Sequence, residues 1–348
     1  MPRINVPESP SSLNGSVAAE DVVDQVDQLY DAFVALREQL GGVIVGMPEV
    51  TEQLIIGLLC RSHCMLQGMP GLAKTLLVST LASLLEMNFR RIQFTPDLMP
   101  GDVTGTEVLE EDHTTGKRIF RFVEGPLFGN VILADEINRT PPKTQSALLE
   151  AMQERQLTIG GTTYTLPDPF FVLATQNPVE TEGTYPLPEA QLDRFLMKIH
   201  VPYPSRDEEL EIARRQTTEY DFKTQQVLHG DDLRKMQALV KSVVVSESLY
   251  QTTVDLVRST RPDDTALPDD LRNMIQFGAG PRATIALLMA AKARALLHRR
   301  FHATTDDVQH VALPVLRHRI ILTFNAEAAG IDADSVLEKL ISSASLKV

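Results

Sequence analysis

Apolar residues near the start of the chain recur at steps of four and three residues: Val22, Val26, Leu29, Phe33, Leu36 and Leu40. This spacing places them along one side of a helix. We therefore predict an amphipathic helix that packs on the core and ends at Gly41 and Gly42. A second helix is predicted from about Pro48 to Arg61. Residues 1–18 are rich in Pro, Ser and Asn, which predicts a disordered tail.

Three short apolar runs predict buried strands, at His63–Gln67, Val131–Ala134 and Phe170–Ala174. Uninterrupted apolar runs of this length are typical of parallel strands that are covered on both faces. In open α/β sheets, ligands bind at the carboxyl ends of the strands. The residues that follow each run are therefore candidate site residues.

Two further segments predict β-hairpins. The first pairs residues 106–110 with 118–122 across a polar turn through Gly116. The second pairs residues 157–159 with 162–164 around Gly160–Gly161, a two-residue turn signal. Plain surface hairpins are the simplest interpretation of both.

The strand pattern stops after residue 204. Helical patterns follow at about 207–219, 231–240, 247–259, 283–299 and 305–317. We therefore predict two domains of the α/β class: a core with a parallel sheet over residues 19–204, and a small all-α domain over residues 205–348.

A glycine-containing segment connects the first predicted strand to a helix. It consists of Gly68, Met69, Pro70, Gly71, Leu72, Ala73, Lys74 and Thr75, and Leu76 opens the helix. Glycines let backbone N–H groups curl around an anion, and the helix N-terminus adds positive dipole. In such a phosphate-binding loop, Lys74 reaches the terminal phosphates and the Thr75 hydroxyl ligates Mg²⁺. All nine residues are assigned to nucleotide binding, although Ala73 stands where the usual pattern has glycine.

Acidic and amide side chains follow the other two strands. Asp135 and Glu136 come directly after the second strand. Asp135 is expected to bind nucleotide and hold the metal through water, and Glu136 to accept a proton from the attacking water or to orient it. Asn177, after the third strand, is expected to hydrogen-bond the γ-phosphate and that water. A helix cap and a turn before Pro178 are the structural alternatives.

Composition excludes some functional classes. The net charge of −13 disfavours nucleic acid as the main partner, because duplex binders present a basic stripe. The short basic clusters at Arg90–Arg91 and 298–300 are interpreted as solvated ends of helices or strands. No apolar stretch approaches the roughly 20 residues of a membrane span, and the start of the chain lacks the apolar region of a secretory signal. We expect a cytoplasmic protein. Cys60 and Cys64 lie in apolar sequence and are expected to be core residues.

Together these segments resemble the MoxR family of AAA+ ATPases. Residues 68–75, 135–136 and 177 are similar to the Walker A, Walker B and sensor 1 motifs of AAA+ proteins. The longer stretches that closely resemble the family are Gly129–Arg139, Gln145–Met152 and Glu182–Phe195. The likeness covers roughly residues 40–322 and implies an AAA+ P-loop core followed by a lid domain.

The resemblance implies roles for two arginines. Arg194 is similar in place to the arginine finger, which reaches the γ-phosphate bound by the next subunit. Arg282 resembles the sensor 2 arginine of the lid, which contacts the nucleotide phosphate and reports on it by moving the lid. From the sequence alone, a surface salt bridge is the simpler interpretation of Arg194. Arg139 and Arg155 are lower-ranked candidates for a contact between subunits.

Activity and partners are also implied by the resemblance. Hydrolysis of ATP, with Mg²⁺, would drive chaperone-like maturation or assembly of a client, including metal or cofactor insertion. The chain would form a homo-oligomeric ring, expected to be a hexamer, and work with a partner that carries a von Willebrand factor A (VWA) domain. The hairpins resemble insertions that face the ring pore or a client. Alternatives are a nucleic-acid motor of the same branch, a magnesium-chelatase-like ATPase subunit, and a non-hydrolysing nucleotide switch or scaffold.

Replacing Lys74 by alanine should weaken ATP binding, because it removes a cation from the phosphate-binding loop. We expect the dissociation constant to rise at least about tenfold, equivalent to about 1.4 kcal/mol. Isothermal titration calorimetry measures this directly. An unchanged affinity would rule out this loop as the nucleotide site.

Overall fold

A computed structural model describes residues 17–111, 118–177, 179, 183–264 and 267–343. Its helices are α1 (Val17–Val43), α2 (Pro48–Leu59), α3 (Lys74–Leu84), α4 (Pro100–Thr104), α5 (Pro142–Glu154), α6 (Glu189–Leu192), α7 (Arg206–Thr217), α8 (Gly230–Ser242), α9 (Glu247–Arg258), α10 (Asp269–Arg272), α11 (Pro281–Leu297), α12 (Thr305–Leu316), α13 (Phe324–Ala328) and α14 (Ala333–Ser343). Its strands are β1 (His63–Gln67), β2 (Phe89–Gln93), β3 (Gly105–Glu111), β4 (Arg118–Glu124), β5 (Val131–Asp135), β6 (Gln156–Ile159), β7 (Thr162–Thr165), β8 (Phe171–Gln176), β9 (Phe195–His200), β10 (Ile275–Phe277) and β11 (Ile321–Leu322).

Five strands form one parallel sheet in the order β2-β5-β8-β1-β9. Side chains alternate between its two faces. Cys64 and Leu66 of β1 pack with α1, α2 and α3, while Met65 packs with α4 and α5. Because both faces are covered, the central strands β1, β5 and β8 are buried along nearly their whole length. The predicted α/β class with a parallel sheet is confirmed. β2 was not predicted, since Ile92 is its only fully buried residue.

The end of α1 differs from the prediction. The helix begins at Val17 and continues through Gly41 and Gly42, where it was expected to stop. Side chains from the region of α7 bind the carbonyls of these glycines. Arg215 Nη1 donates to both carbonyl oxygens, at 3.2 and 3.1 Å, and the Tyr220 hydroxyl donates to that of Gly42 at 2.9 Å. These contacts satisfy carbonyl groups that a glycine-terminated helix otherwise leaves to local turns. Residues 1–16 of the predicted tail lie outside the described residues.

Both predicted hairpins are present, as β3–β4 and β6–β7. They contact each other through stacked rings: the centroids of Phe122 and Tyr164 are 4.3 Å apart. The predicted turn through Gly116 lies outside the described residues. The two hairpins therefore form one unit on the α5 side of the sheet.

Helices dominate the chain after residue 204, as predicted, with one addition. β10 and β11 form a two-stranded antiparallel sheet, so this domain is not purely helical. The strands are three and two residues long, which is too short to leave an alternating pattern in the sequence.

The helical domain binds the edge strand β9 through three consecutive residues after α12. Arg317 Nη1 donates to the Lys198 carbonyl at 3.1 Å. His318 Nε2 and Arg319 Nη2 both donate to the Phe195 carbonyl, at 3.1 and 2.7 Å. These donors pair carbonyl groups that an edge strand would otherwise expose, so the lid protects the open side of the sheet.

A buried carboxylate joins α11 to α12. Asp307 has no exposed surface and accepts hydrogen bonds from Arg294 Nη1 at 2.7 Å and from Arg300 Nη1 and Nη2 at 2.7 and 2.6 Å. Thr304 donates to it through its backbone N–H and its hydroxyl. Burial alone would raise the pKa of Asp307, but these hydrogen bonds outweigh it, so the pKa is lowered.

Asp307→Ala should lower the free energy of unfolding by about 3–5 kcal/mol, because it leaves buried cationic groups without their partner. Asp306→Ala is the control: Asp306 also contacts Arg294, but its side chain is 75% exposed, so it should cost at most about 1 kcal/mol. Urea unfolding measures both variants.

The pH dependence of the same variant follows from the lowered pKa of Asp307. The contribution of the carboxylate is present above its unfolded pKa, about 3.9, and is lost as the pH falls through the folded value. The stability difference between wild type and Asp307→Ala should therefore shrink below that pH. Equal losses for the two aspartate variants at neutral pH would contradict this account.

Candidate functional site

The loop after β1 has the backbone shape of a phosphate-binding loop. It lies at the edge where the carboxyl ends of the parallel strands β1, β8 and β5 meet. Gly71 and Ala73 both have positive φ, of 83° and 51°. Ala73 therefore adopts the left-handed conformation that glycine ordinarily supplies, at a cost of roughly 1–2 kcal/mol. Alanine in place of the usual glycine therefore adds a side chain but keeps the loop conformation.

Lys74 lies across this loop. Its Nζ donates to the carbonyls of Gly68 and Met69 at 2.7 and 2.8 Å. Burial lowers the pKa of Lys74, and the nearby charges of Asp135 and Glu136 partly oppose that shift. In the described part of the chain no side chain caps the N-terminus of α3. Its first N–H groups therefore remain available to an anion, and together with the lysine they fit a phosphate chain.

A cavity of about 120 Å³ opens beside the loop. Its walls come from the segment between α1 and α2, the loop itself and α7. Ile44, Leu76 and Ile212 give it apolar surfaces, and Arg215 and Gln216 give it polar groups. The cavity shares Gly71, Leu72 and Ala73 with the loop, so it directly adjoins the place where phosphates would bind. It could not be predicted from the sequence, since its walls are far apart along the chain.

Asp135 and Glu136 lie at the same edge as the loop, as predicted. Asp135 ends β5, and Glu136 follows it with a φ of 58°, which is strained for a residue other than glycine. The Thr175 hydroxyl contacts both residues: it donates to Asp135 Oδ1 at 2.6 Å and accepts from the Glu136 N–H at 2.8 Å. Thr175 at the end of β8 therefore aligns the acidic pair.

Three further side chains contact the carboxylates. Arg91 Nε and Nη2 donate to Asp135 Oδ2 at 3.1 and 2.6 Å. Gln93 Nε2 and Arg139 Nη1 donate to Glu136 Oε2 at 2.7 and 3.0 Å. From the sequence, Arg91 was interpreted as part of a solvated helix or strand end, and Gln93 had no predicted role. Their role depends on the pairing of β2 with β5, and β2 itself had not been predicted.

Asn177 and Thr75 complete this edge. Asn177 directly follows β8 and is 9% exposed, and its Oδ1 accepts a hydrogen bond from the Val179 N–H at 3.2 Å. Thr75 lies half-buried in the first turn of α3. The structure thus brings the predicted residues of the loop, the acidic pair and Asn177 to one edge of the sheet.

Arg194 lies at the opposite end of the sheet, where the parallel strands β1 and β9 begin. It directly precedes β9, and Phe195, the first residue of that strand, pairs with His63 at the start of β1. The phosphate-binding loop follows the other end of β1, about 16 Å along a strand of five residues. Arg194 Nη1 donates to the Leu149 carbonyl at 2.7 Å. Its side chain is therefore too distant to contact a phosphate held at the loop of its own chain.

Arg282 lies beside Arg194 and not beside the loop. Its Nη1 donates to Asp193 Oδ2 at 3.4 Å, and Arg319 Nε donates to Asp193 Oδ1 at 2.8 Å. The three arginines line one cavity of about 340 Å³. A contact between Arg282 and nucleotide, as expected from the sequence, would therefore involve a nucleotide held by another chain.

Comparisons with known proteins agree with this arrangement. Residues 63–197 match the ATPase family associated with various cellular activities (AAA), and residues 269–340 match an AAA lid domain. The chain is 42% identical over 328 residues to the chaperone MoxR1 of Mycobacterium tuberculosis, which covers 94% of this chain and 85% of that protein. The chain belongs to the MoxR family of AAA+ ATPases.

Two further proteins match nearly the whole chain. YeaC of Bacillus subtilis, an uncharacterised protein, is 43% identical over 312 residues, with 89% of this chain and 93% of YeaC covered. The crystal structure of a candidate ATPase from Cytophaga hutchinsonii superimposes with a TM-score of 0.86 at 42% identity, covering 94% of this chain and 98% of that one. The predicted AAA+ core followed by a lid is therefore confirmed.

The residues of this MoxR-family site fit a magnesium nucleotide. A cation and free N–H groups surround the loop, and the Thr75 hydroxyl and the Asp135 carboxylate are oxygen ligands of the kind Mg²⁺ prefers. Within the described ranges no helix is long and apolar enough to cross a membrane.

Proposed function

We propose that this MoxR-family protein hydrolyses ATP to ADP and phosphate and uses the energy for chaperone-like maturation or assembly of a protein client. The observation that supports this best is the meeting of a cationic phosphate loop, an acidic pair and a buried amide at one sheet edge, beside a cavity for a nucleoside. These groups are what phosphoryl transfer to water requires.

Each group has a separate task in this proposal. Lys74 and the N-terminus of α3 bind the phosphates, and Thr75 and Asp135 hold Mg²⁺. When bound, Mg²⁺ would neutralise charge on the phosphate oxygens. Glu136 takes the proton of the attacking water, and Asn177 orients that water. The hydrogen bonds that Glu136 accepts from Gln93 and Arg139 keep its carboxylate in place.

The position of Arg194 supports assembly into a ring. Since it lies at the edge opposite its own loop, we propose that it completes the site of the next subunit, with Arg282 beside it. Arg139 is engaged with Glu136 of its own chain at 3.0 Å, and Arg155 donates to the Arg61 carbonyl at 2.6 Å, so both remain lower-ranked. A hexamer is the expected ring size.

The surface of the first hairpin favours a polypeptide client. Leu109 and Phe120 pair across β3 and β4 and are 49% and 72% exposed. Glu107, Glu110 and Glu111 accompany them on β3. β4 carries Arg118 and Arg121, and Arg121 forms an ion pair with Glu110 at 3.4 Å. Exposed apolar residues among charges of both signs fit a protein segment better than a phosphate backbone, which weighs against a nucleic-acid motor. A VWA-domain partner and metal or cofactor insertion follow from the family resemblance. Together with the cytoplasmic location expected from the sequence, they complete the proposal. A magnesium-chelatase-like role is the alternative.

Glu136→Gln should separate binding from hydrolysis. The variant keeps the phosphate and metal contacts, so ATP affinity should stay within about twofold of wild type, while turnover should fall by roughly 10²-fold or more through loss of the base. Glu338→Gln, an exposed change of the same kind on α14, is the control and should hydrolyse normally. Phosphate release and calorimetry provide the two measurements. Near-normal turnover of Glu136→Gln would reject Glu136 as the base.

Arg194→Ala should bind ATP and assemble but hydrolyse poorly, because arginine fingers contribute on the order of 10³–10⁵ in GTPases. A mixture of Arg194→Ala and Glu136→Gln subunits tests the contact between chains. In a mixed ring, some interfaces combine the intact Arg194 of a Glu136→Gln subunit with the intact Glu136 of an Arg194→Ala subunit. Activity should return at these interfaces. Mixed rings of the two variants, confirmed by mass measurement, that stay inactive at every ratio would contradict the role in trans, provided that rings with excess wild-type subunits remain active. Inactivity with excess wild type would instead show that turnover requires every site to fire in sequence.

A further inference from the structure

We propose that Arg91 is a positioning residue for the hydrolytic site: its guanidinium aligns both acidic side chains while it weakens the binding of the metal. This inference rests on the proposed ATPase function. It starts from the register of two neighbouring strands, in which Gln93 of β2 pairs with Asp135 of β5. Arg91, two residues earlier, lies on the same face of β2 as Gln93.

One guanidinium connects the two carboxylates. Arg91 donates to Asp135 Oδ2 through Nε and Nη2, and its Nη2 also donates to Gln93 Oε1 at 2.9 Å. Because the amide oxygen of Gln93 is bound in this way, its Nε2 is directed to Glu136, to which it donates at 2.7 Å. Arg91 therefore orients Asp135 directly and Glu136 through Gln93.

The strand order decides which side chain binds each oxygen of Asp135. β2 lies on one side of β5, whereas β8, and beyond it β1 with the phosphate loop, lie on the other. Arg91 binds Oδ2 from the β2 side, and Thr175 of β8 binds Oδ1. Arg91 thus binds the carboxylate from the side of β5 that is away from β1 and the phosphate loop.

The charge of Arg91 has a second effect. A guanidinium is always protonated, so it places a permanent cation on the carboxylate that would attract Mg²⁺. It therefore offsets part of the attraction between Asp135 and a divalent ion. An ATPase must release ADP and its metal in every cycle, and weaker metal binding would make that release faster.

Arg91 acts on the site and contributes little to the fold. Its side chain is 48% exposed on the edge strand β2, and ion pairs with this exposure contribute little to stability. Arg90, the preceding residue, is also exposed, and its side chain points to the other face of β2, where it approaches Gly129. Arg90→Gln therefore changes the same charge on the same strand without touching the acidic pair.

The experiment compares Arg91→Gln, Arg91→Lys and Arg90→Gln in the full chain. Mn²⁺ binding is measured by electron paramagnetic resonance with a non-hydrolysable ATP analogue, turnover by phosphate release, and folding by Tm. In Arg91→Gln we expect Mn²⁺ to bind at least about threefold more tightly, through loss of a neighbouring cation. Its kcat should fall at least about tenfold, because the base loses its alignment, and KM for ATP should stay within about twofold.

The two other variants separate charge from geometry. Arg91→Lys keeps the charge, so Mn²⁺ affinity should stay near that of wild type. A single ammonium lacks the planar fork that holds two groups at once, so kcat should still fall. Arg90→Gln should leave both quantities unchanged.

Tighter metal binding together with slower turnover in Arg91→Gln supports the proposal. Weaker Mn²⁺ binding, normal turnover, or a loss of both that follows a lowered Tm would overturn it. Failure of the proposed function would be seen separately, as a wild-type protein without hydrolysis or a Glu136→Gln variant that retains it. The Mn²⁺ measurement stays interpretable in that case, because it requires no hydrolysis.

Discussion

Parallel pairing of five strands is the constraint on which the rest of this structure depends. It sends the carboxyl ends of β1, β5 and β8 to one edge, so that residues from three distant parts of the chain meet there. The same constraint places the residue before β9 at the other edge. Lys74 and Arg194 therefore occupy opposite edges of one sheet, which makes a site shared between chains the simplest use of both.

The nucleotide edge stores backbone strain and concentrates charge. Ala73 and Glu136, on either side of the proposed phosphate position, both have left-handed backbone conformations. Each costs of order 1–3 kcal/mol. The hydrogen bond from the Glu136 N–H to the Thr175 hydroxyl holds the backbone of Glu136, and Ala73 directly precedes α3. The carboxylates of Asp135 and Glu136 form ion pairs with the guanidinium groups of Arg91 and Arg139. Rigid strands and carboxylates held by hydrogen bonds are what a preorganised hydrolytic site needs.

The lid is connected to the end of the sheet that carries Arg194. Arg319, from the turn after α12, donates to the Asp193 carboxylate and to the Phe195 carbonyl, and Arg282 of α11 donates to the same carboxylate. A rotation of the lid would thus move Arg282 relative to β9. The first helix of the helical region, α7, binds the end of α1 through Arg215 and lines the cavity beside the phosphate loop. The lid region therefore borders both the cavity beside the phosphate loop of its own chain and the surface proposed to meet a neighbour.

The sequence by itself determined the local parts of this protein. The apolar runs of β1, β5 and β8, the phosphate loop, and the acidic pair were all predictable, because each depends on residues that are adjacent in the chain. The tertiary structure alone decided what depends on register and packing. Thr175, Arg91 and Gln93 contact the acidic pair only because β8 and β2 flank β5, and α1 passes Gly42 only because side chains near α7 bind its carbonyls. The place of Arg282 beside Arg194 also required the fold, since the energy of such contacts comes from residues brought together over long distances in sequence.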